Sequence, residues 1–198
     1  MSLRDQLPEA SVLETASKLL VEDSKGNKVE FGSLFADQKT IVVFLRHFIC
    51  GAYSSQLSDI PEASLAAAGT KIILIGCGEW KAIGAYADMT GFKGPIYADP
   101  KRTLFFTLGM DIQNHEVTPA GQQKPSYLTM SNTANAIYSI GRAFARPWII
   151  GKQGNTYQLG GDFVLGPGNQ CSFAHRMQHT QDHVEVADLM KAAGVTIP

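Results

Sequence analysis

Apolar positions along this chain fall into short unbroken runs separated by segments of helical spacing. Lys39 to Arg46 (KTIVVFLR) and Lys71 to Gly76 (KIILIG) are continuously apolar, the pattern of parallel strands covered on both faces by helices. Between them, Gly51 to Ala68 carries Leu57, Ile60, Pro61 and Leu65, then an alanine run closed by Gly69. That spacing predicts one helix, bent at Pro61 where the ring supplies no N–H, with a glycine stop. Trp80 to Met89 predicts a second helix ended by Thr90-Gly91. Pro95 to Ala98 reads as a short third strand, and Asp99-Pro100 opens a further helix with Asp99 as N-cap. The order βαβαβ implies an open α/β sheet with right-handed crossovers.

Outside this unit, Lys25-Gly26-Asn27-Lys28 reads as a small hairpin or a strand entry between Leu20-Val21 and Val29-Phe31. Asp162 to Leu165 and Gln170 to Ala174 flank Gly166-Pro167-Gly168-Asn169, alternating strands about a turn, which is hairpin chemistry. Val184 to Ala193 predicts a closing amphipathic helix. The stretch 109–157 differs. It begins polar, with Asn114, Thr118, Pro119 and Gln122, then offers a helical pattern from Leu128 through Ile137 and Ile140 to Phe144, stopped by Pro147. We read residues 1–198 as one domain, with 109–157 a loop and helix inserted before the final hairpin, where insertions cap sites or make interfaces.

Composition narrows the class. The 198 residues are 44% hydrophobic and 18% charged, which excludes a disordered chain. With a formal net charge of −1 there is no basic face to meet phosphate, so no nucleic-acid partner is expected. The longest apolar runs are far short of the ~20 residues that span a bilayer, so no membrane partner is expected either. The N-terminal MSLRDQLPEA has no apolar core and does not read as a secretory signal. Three cysteines are too few for a disulfide scaffold. The expectation is a reduced, cytoplasmic protein.

The candidate chemistry sits where the first central strand ends: Phe44-Leu45-Arg46-His47-Phe48-Ile49-Cys50-Gly51-Ala52-Tyr53. Cys50 falls just past a parallel strand and at the start of the next helix, the place where open α/β sheets bind ligands. A helix N-terminus favours a thiolate, and Arg46 and His47 upstream are candidate sources of further positive charge. The other reading is a buried structural cysteine. His175, His179 and His183 recur every fourth residue, but His175 reads as the end of a strand and Asp182 as the cap of the closing helix. Too few ligands converge for a zinc site, and no metal is expected.

FLRHFICGAY, IILIGCGEW, PIYADPKRTLFFTLGM, QLGGDFVLGPGN and AHRMQHTQDHVEV together resemble the peroxiredoxin-like 2 group of the AhpC/TSA (peroxiredoxin) branch, with fungal members looking closest. The resemblance runs from Phe44 to Val186. It implies a thioredoxin-like fold, a central mixed sheet flanked by helices, with Cys50 at the redox corner. Members of that group typically carry Cys-x-x-Cys here, whereas this chain has Tyr53 in the second position. The peroxidatic signature Pro-x-x-x-Thr/Ser-x-x-Cys is also absent, with Val43 and His47 in place of the proline and the hydroxyl residue.

Three readings stay open. Cys50 works alone, reset by an external thiol such as glutathione or thioredoxin, in a segment similar to the Cys-Gly-Phe-Ser of monothiol glutaredoxins. Alternatively it pairs with Cys77, which closes the second central strand at the same sheet edge, or with Cys171, which reads as core. In the third reading the pocket binds or transforms an apolar small molecule without redox turnover, with Tyr53 lining it as a phenolic donor and the inserted segment as a lid. Tyr53 as a ring packed on the sheet is the alternative. Gly160-Gly161 stands where thioredoxin-fold proteins usually carry a cis-proline facing the thiol, so these glycines either let a bound group approach the backbone or shape the strand entry. The expected partner is a small-molecule substrate, with no resident cofactor; a homodimer would suit an exposed face of the inserted helix.

Overall fold

The computed structural model describes residues 4–128 and 149–197. Seven strands form one mixed sheet: β1 (Leu20–Glu22), β2 (Lys28–Glu30), β3 (Lys39–Leu45), β4 (Thr70–Gly76), β5 (Ile96–Ala98), β6 (Gly161–Leu165) and β7 (Cys171–Arg176). Their spatial order is β2-β1-β5-β4-β3-β6-β7. β3, β4 and β5 run parallel, as continuous apolar runs joined through helices must. β6 lies antiparallel to β3 and β7 antiparallel to β6, while β1 pairs antiparallel with both β2 and β5. The helices are α1 (Ala10–Ser17), α2 (Ala52–Ser58), α3 (Glu62–Ala67), α4 (Ile83–Thr90), α5 (Thr103–Thr107) and α6 (Val186–Ala192).

Alternation along β3 divides the core into two layers. Ile41, Val43 and Leu45 face α2, α4 and α6, meeting Tyr53, Leu57, Ile83, Tyr86, Leu189 and Met190. Val42 and Phe44 face the other way, onto α1, α5 and the 3-10 turn Phe31–Leu34. There Phe44 packs edge-on against Phe105 and Phe163, with centroids 5.1 and 5.5 Å away. Each ring buried this completely contributes about 1.5–3 kcal/mol.

Three expectations need correction. Gly51 to Ala68 is not one bent helix. Leu57 and Gln56 carbonyls take the N–H groups of Ile60 and Asp59, the chain turns extended at Pro61, and α3 starts afresh with Pro61 as its cap residue. Proline disfavours the helical conformation of the residue before it, so the break falls there. Asp99 is not the N-cap residue of α5; that place is taken by Arg102, at φ 59. Asp99 nonetheless serves the helix start from three residues upstream, its Oδ2 accepting the Leu104 N–H at 2.8 Å. Finally, α6 begins at Val186 with Glu185 in the cap position, and Asp182 instead accepts from Arg4 and from the Gln178 N–H. The hairpin about Lys25–Asn27, the hairpin about Gly166–Asn169 and the strand Ile96–Ala98 form as expected. The bulk of the predicted inserted helix, 129–148, lies outside the described residues.

Candidate active site

The carboxyl ends of β3 and β4, the start of β6 and the start of α2 meet at one edge of the sheet, with Leu45 beside Gly76 and Phe44 beside Gly161. Between Leu45 and α2 the chain makes a six-residue loop, 46–51. Phe48 anchors it: its ring fills the space a side chain on Gly76 or Gly78 would need, and its N–H donates to the Gln153 carbonyl at 3.0 Å. The Cys50 N–H donates back to the His47 carbonyl (3.3 Å), and the buried Tyr86 hydroxyl donates to the Cys50 carbonyl (2.9 Å) while meeting Ser54 Oγ at 2.7 Å. The backbone of Cys50 is therefore held from both sides, while its thiol is exposed.

Arg46 reaches that thiol. Its Nη1 donates to Cys50 Sγ at 3.6 Å and its Nη2 to the Thr156 carbonyl at 3.1 Å. A guanidinium has several donors in a fixed fork, so one side chain ties the sulfur to the neighbouring segment. His47 does not share this role. It is buried, its Nδ1 accepts the Ile49 N–H at 3.3 Å, and burial with the adjacent Arg46 charge lowers its pKa to about 3. A neutral imidazole supplies no positive charge, which corrects the expectation for this residue.

Tyr53, in the first turn of α2, is 4% exposed. Its ring lies flat on the imidazole of His183, centroids 4.3 Å apart and planes within 4°, and edge-on to Tyr127 at 5.0 Å. Burial, and then the nearby Asp162 charge, push its phenol pKa well above the ordinary value, so it is a hydrogen-bond donor and not an anion. Its hydroxyl has no partner among the described residues. Both sequence readings of Tyr53 thus meet in one residue: a packed ring carrying an unused donor.

The glycines resolve differently. A Cβ on Gly160 would collide with the Phe44 carbonyl and one on Gly161 with the His175 carbonyl. The close approach is made by the sheet's own backbone, the geometry that the strand-entry reading of Gly160 and Gly161 describes.

Cys77 lies at the end of β4 but its side chain belongs to the core layer opposite α2. Its thiol donates to the Arg46 carbonyl at 2.8 Å, Gly154 packs against it so closely that a Cβ there would clash, and burial raises its pKa to about 11. Cys171 donates to the Phe173 carbonyl (3.1 Å) and burial raises its pKa to about 11 as well. All three thiols are free. The three histidines line one cleft but face different carboxylates: His175 on β7 meets Asp5 (2.8 Å) and the Asp182 carbonyl (2.7 Å), His179 lies 3.8 Å from Asp182, and His183 meets Asp162 (3.0 Å). No group of three metal-ligating side chains gathers among the described residues.

Sequence reasoning missed Asp162, Tyr86 and Tyr127. The signal for Asp162 was present: in the alternation of β6 it takes a core-facing place beside the buried Val164.

The family model described as AhpC/TSA antioxidant enzyme matches residues 56–179, beginning just past Cys50. Peroxiredoxin-like 2C of Homo sapiens is 34% identical over 182 residues, covering 90% of this chain and 79% of that one. Thioredoxin-like protein AAED1, chloroplastic, of Arabidopsis thaliana is 27% identical, covering 92% and 72%. Prostamide/prostaglandin F synthase of Danio rerio is 28% identical, covering 89% and 85%. Among solved structures, peroxiredoxin Q of Xanthomonas campestris superposes with a TM-score of 0.54 at 15% identity over 96% of this chain and 92% of that one, a likeness of fold.

Proposed function

This chain belongs to the AhpC/TSA antioxidant-enzyme family, and from that premise we propose that it is a thiol oxidoreductase with Cys50 as its single nucleophile, reset by an external thiol. In this reading it is a fungal-type, cytoplasmic member in which Tyr53 takes the place of a second thiol. The observation that carries the reading is the asymmetry of the three cysteines. Cys50 is exposed with the Arg46 guanidinium on its sulfur, whereas Cys77 and Cys171 are held by carbonyls and raised to about 11 by burial. The thiolate is the reactive form, so only Cys50 is both accessible and electrostatically supported.

The cycle balances with a disulfide substrate. The Cys50 thiolate attacks one sulfur of R–S–S–R, the S–S bond breaks, and the departing thiolate takes a proton from solvent. A second thiol then attacks the mixed disulfide, returning Cys50 to the thiolate and leaving with the substrate half as a new disulfide. Arg46 faces the sulfur wherever negative charge gathers on it. Labelling with a small alkylating reagent tests the reading. Cys50 should label in the folded protein while Cys77 and Cys171 wait for denaturant, and Cys50→Ser should abolish disulfide turnover with the fold intact. Turnover unchanged in Cys50→Ser would overturn it.

A second reading is favoured by the unpartnered Tyr53 hydroxyl: a site that hydrogen-bonds an oxygen of an apolar small molecule without redox turnover. The name of the Danio rerio relative refers to small lipid molecules of that kind. Here Tyr53→Phe would weaken ligand binding and Cys50→Ser would not.

A further inference from the structure

A cleft of about 770 Å3 opens behind the redox corner, between the N-terminal Arg4-Asp5, residues 122–126, β7 and the start of α6. His183 is the wall between the two. One face of its ring rests on Tyr53, and the residue also lines the cleft. Asp162, fully buried in β6, accepts from His183 Nδ1 at 3.0 Å and from the Val184 N–H at 3.0 Å. A carboxylate only accepts, so the neutral ring carries its proton on Nδ1 and presents a lone pair at Nε2. The His183 side chain is 8% exposed, and its Nε2 has no partner among the described residues. A carboxylate inside a sheet is no more stabilising than an apolar residue of its size. Orienting an imidazole is a use that an apolar residue could not serve.

The charges around the cleft are mostly spent on one another. Arg4 meets Asp182 at 2.6 Å, Asp5 meets His175 at 2.8 Å, and Glu185 accepts the Ser126 N–H at 2.8 Å. Lys124 and Asp188, both exposed lining residues, carry no partner among the described residues. One ammonium, one carboxylate and one imidazole lone pair are left. We propose that the cleft binds a zwitterionic amino acid or short peptide, its carboxylate against Lys124 and its ammonium donating to His183 Nε2 and Asp188. The volume lies in the range of small-molecule sites. The proposal goes beyond the reading of Cys50, which does not line the cleft, and the binding does not require that residue.

Titration calorimetry with S-methylglutathione tests it, a probe that has the ammonium and carboxylates and no thiol to exchange. Saturable binding is expected by about 10 mM, the range of a millimolar site. Lys124→Glu and Asp188→Lys should each weaken it about fivefold or more, since reversal removes an attraction and adds a repulsion. Both positions are exposed, so these variants keep the fold. His183→Asn, which keeps a donor toward Asp162 but places no acceptor at the Nε2 position, should also weaken it, and Cys50→Ser should leave it unchanged. No binding to the unsubstituted protein, or an affinity in both charge-reversal variants equal to that of the unsubstituted protein, would overturn the proposal. Labelling of Cys50 is read separately, so failure here leaves that reading standing.

Discussion

Arg46 donates to Cys50 across 3.6 Å while its other terminal nitrogen is pinned to the Thr156 carbonyl at 3.1 Å. The cation comes from the same loop as the cysteine, and the end of the 109–157 segment holds its other nitrogen in place.

Arg46→Ala should slow alkylation of Cys50 at neutral pH roughly two- to fivefold, the range for one exposed charge contact of up to about 1 kcal/mol. Arg46→Lys should recover part of the rate, because an ammonium keeps the charge but cannot hold both partners in a fixed fork. Stopped-flow labelling followed by peptide mass spectrometry reads both. A rate unchanged in Arg46→Ala would mean that the contact does not act on the thiol.

His47 gives the fold an acid-sensitive element. Its pKa is about 3 when folded and near the ordinary value of about 6.5 when unfolded, so between these limits the unfolded chain binds a proton that the folded one refuses. Its contribution is complete above pH ~6.5 and is lost as pH falls towards ~3, at up to about 1.4 kcal/mol per pH unit. Asparagine at this position offers an oxygen to the Ile49 N–H and does not titrate. Urea unfolding from pH 7 to pH 4 should show a shallower loss of stability in His47→Asn than in the parent chain.

Gly160→Ala should destabilise the protein by about 3 kcal/mol, since the Phe44 carbonyl stands where the methyl would go. Thermal unfolding measures it. A neutral substitution that altered only ligand affinity would favour the ligand-approach role instead.

How much of this was legible follows from the range of each signal. The parallel core of β3 and β4 announces itself because both faces are buried and every residue from Ile41 to Leu45 is apolar. Cys50 at a strand end before a helix is likewise a local pattern. The break at Pro61 was half legible: proline marks the place, but whether a helix bends or restarts depends on what packs against it. The neutrality of His47 was not legible, since it depends on burial beneath residues distant in sequence. Nor was the Asp162–His183 pair, whose partners are 21 residues apart and meet only when β6 and the turn before α6 fold together. The crowding at Gly160 and Gly161 was not legible either, since it depends on how closely the neighbouring strands approach.

Cys77 sits in the opposite core layer, sealed beneath Gly154. In the proposed cycle an oxidised Cys50 is relieved by an external thiol, so its lifetime depends on encounters with other molecules. The fraction of oxidised chains then follows the concentrations of oxidant and free thiol in the surroundings. A protein built this way carries a record of its solution.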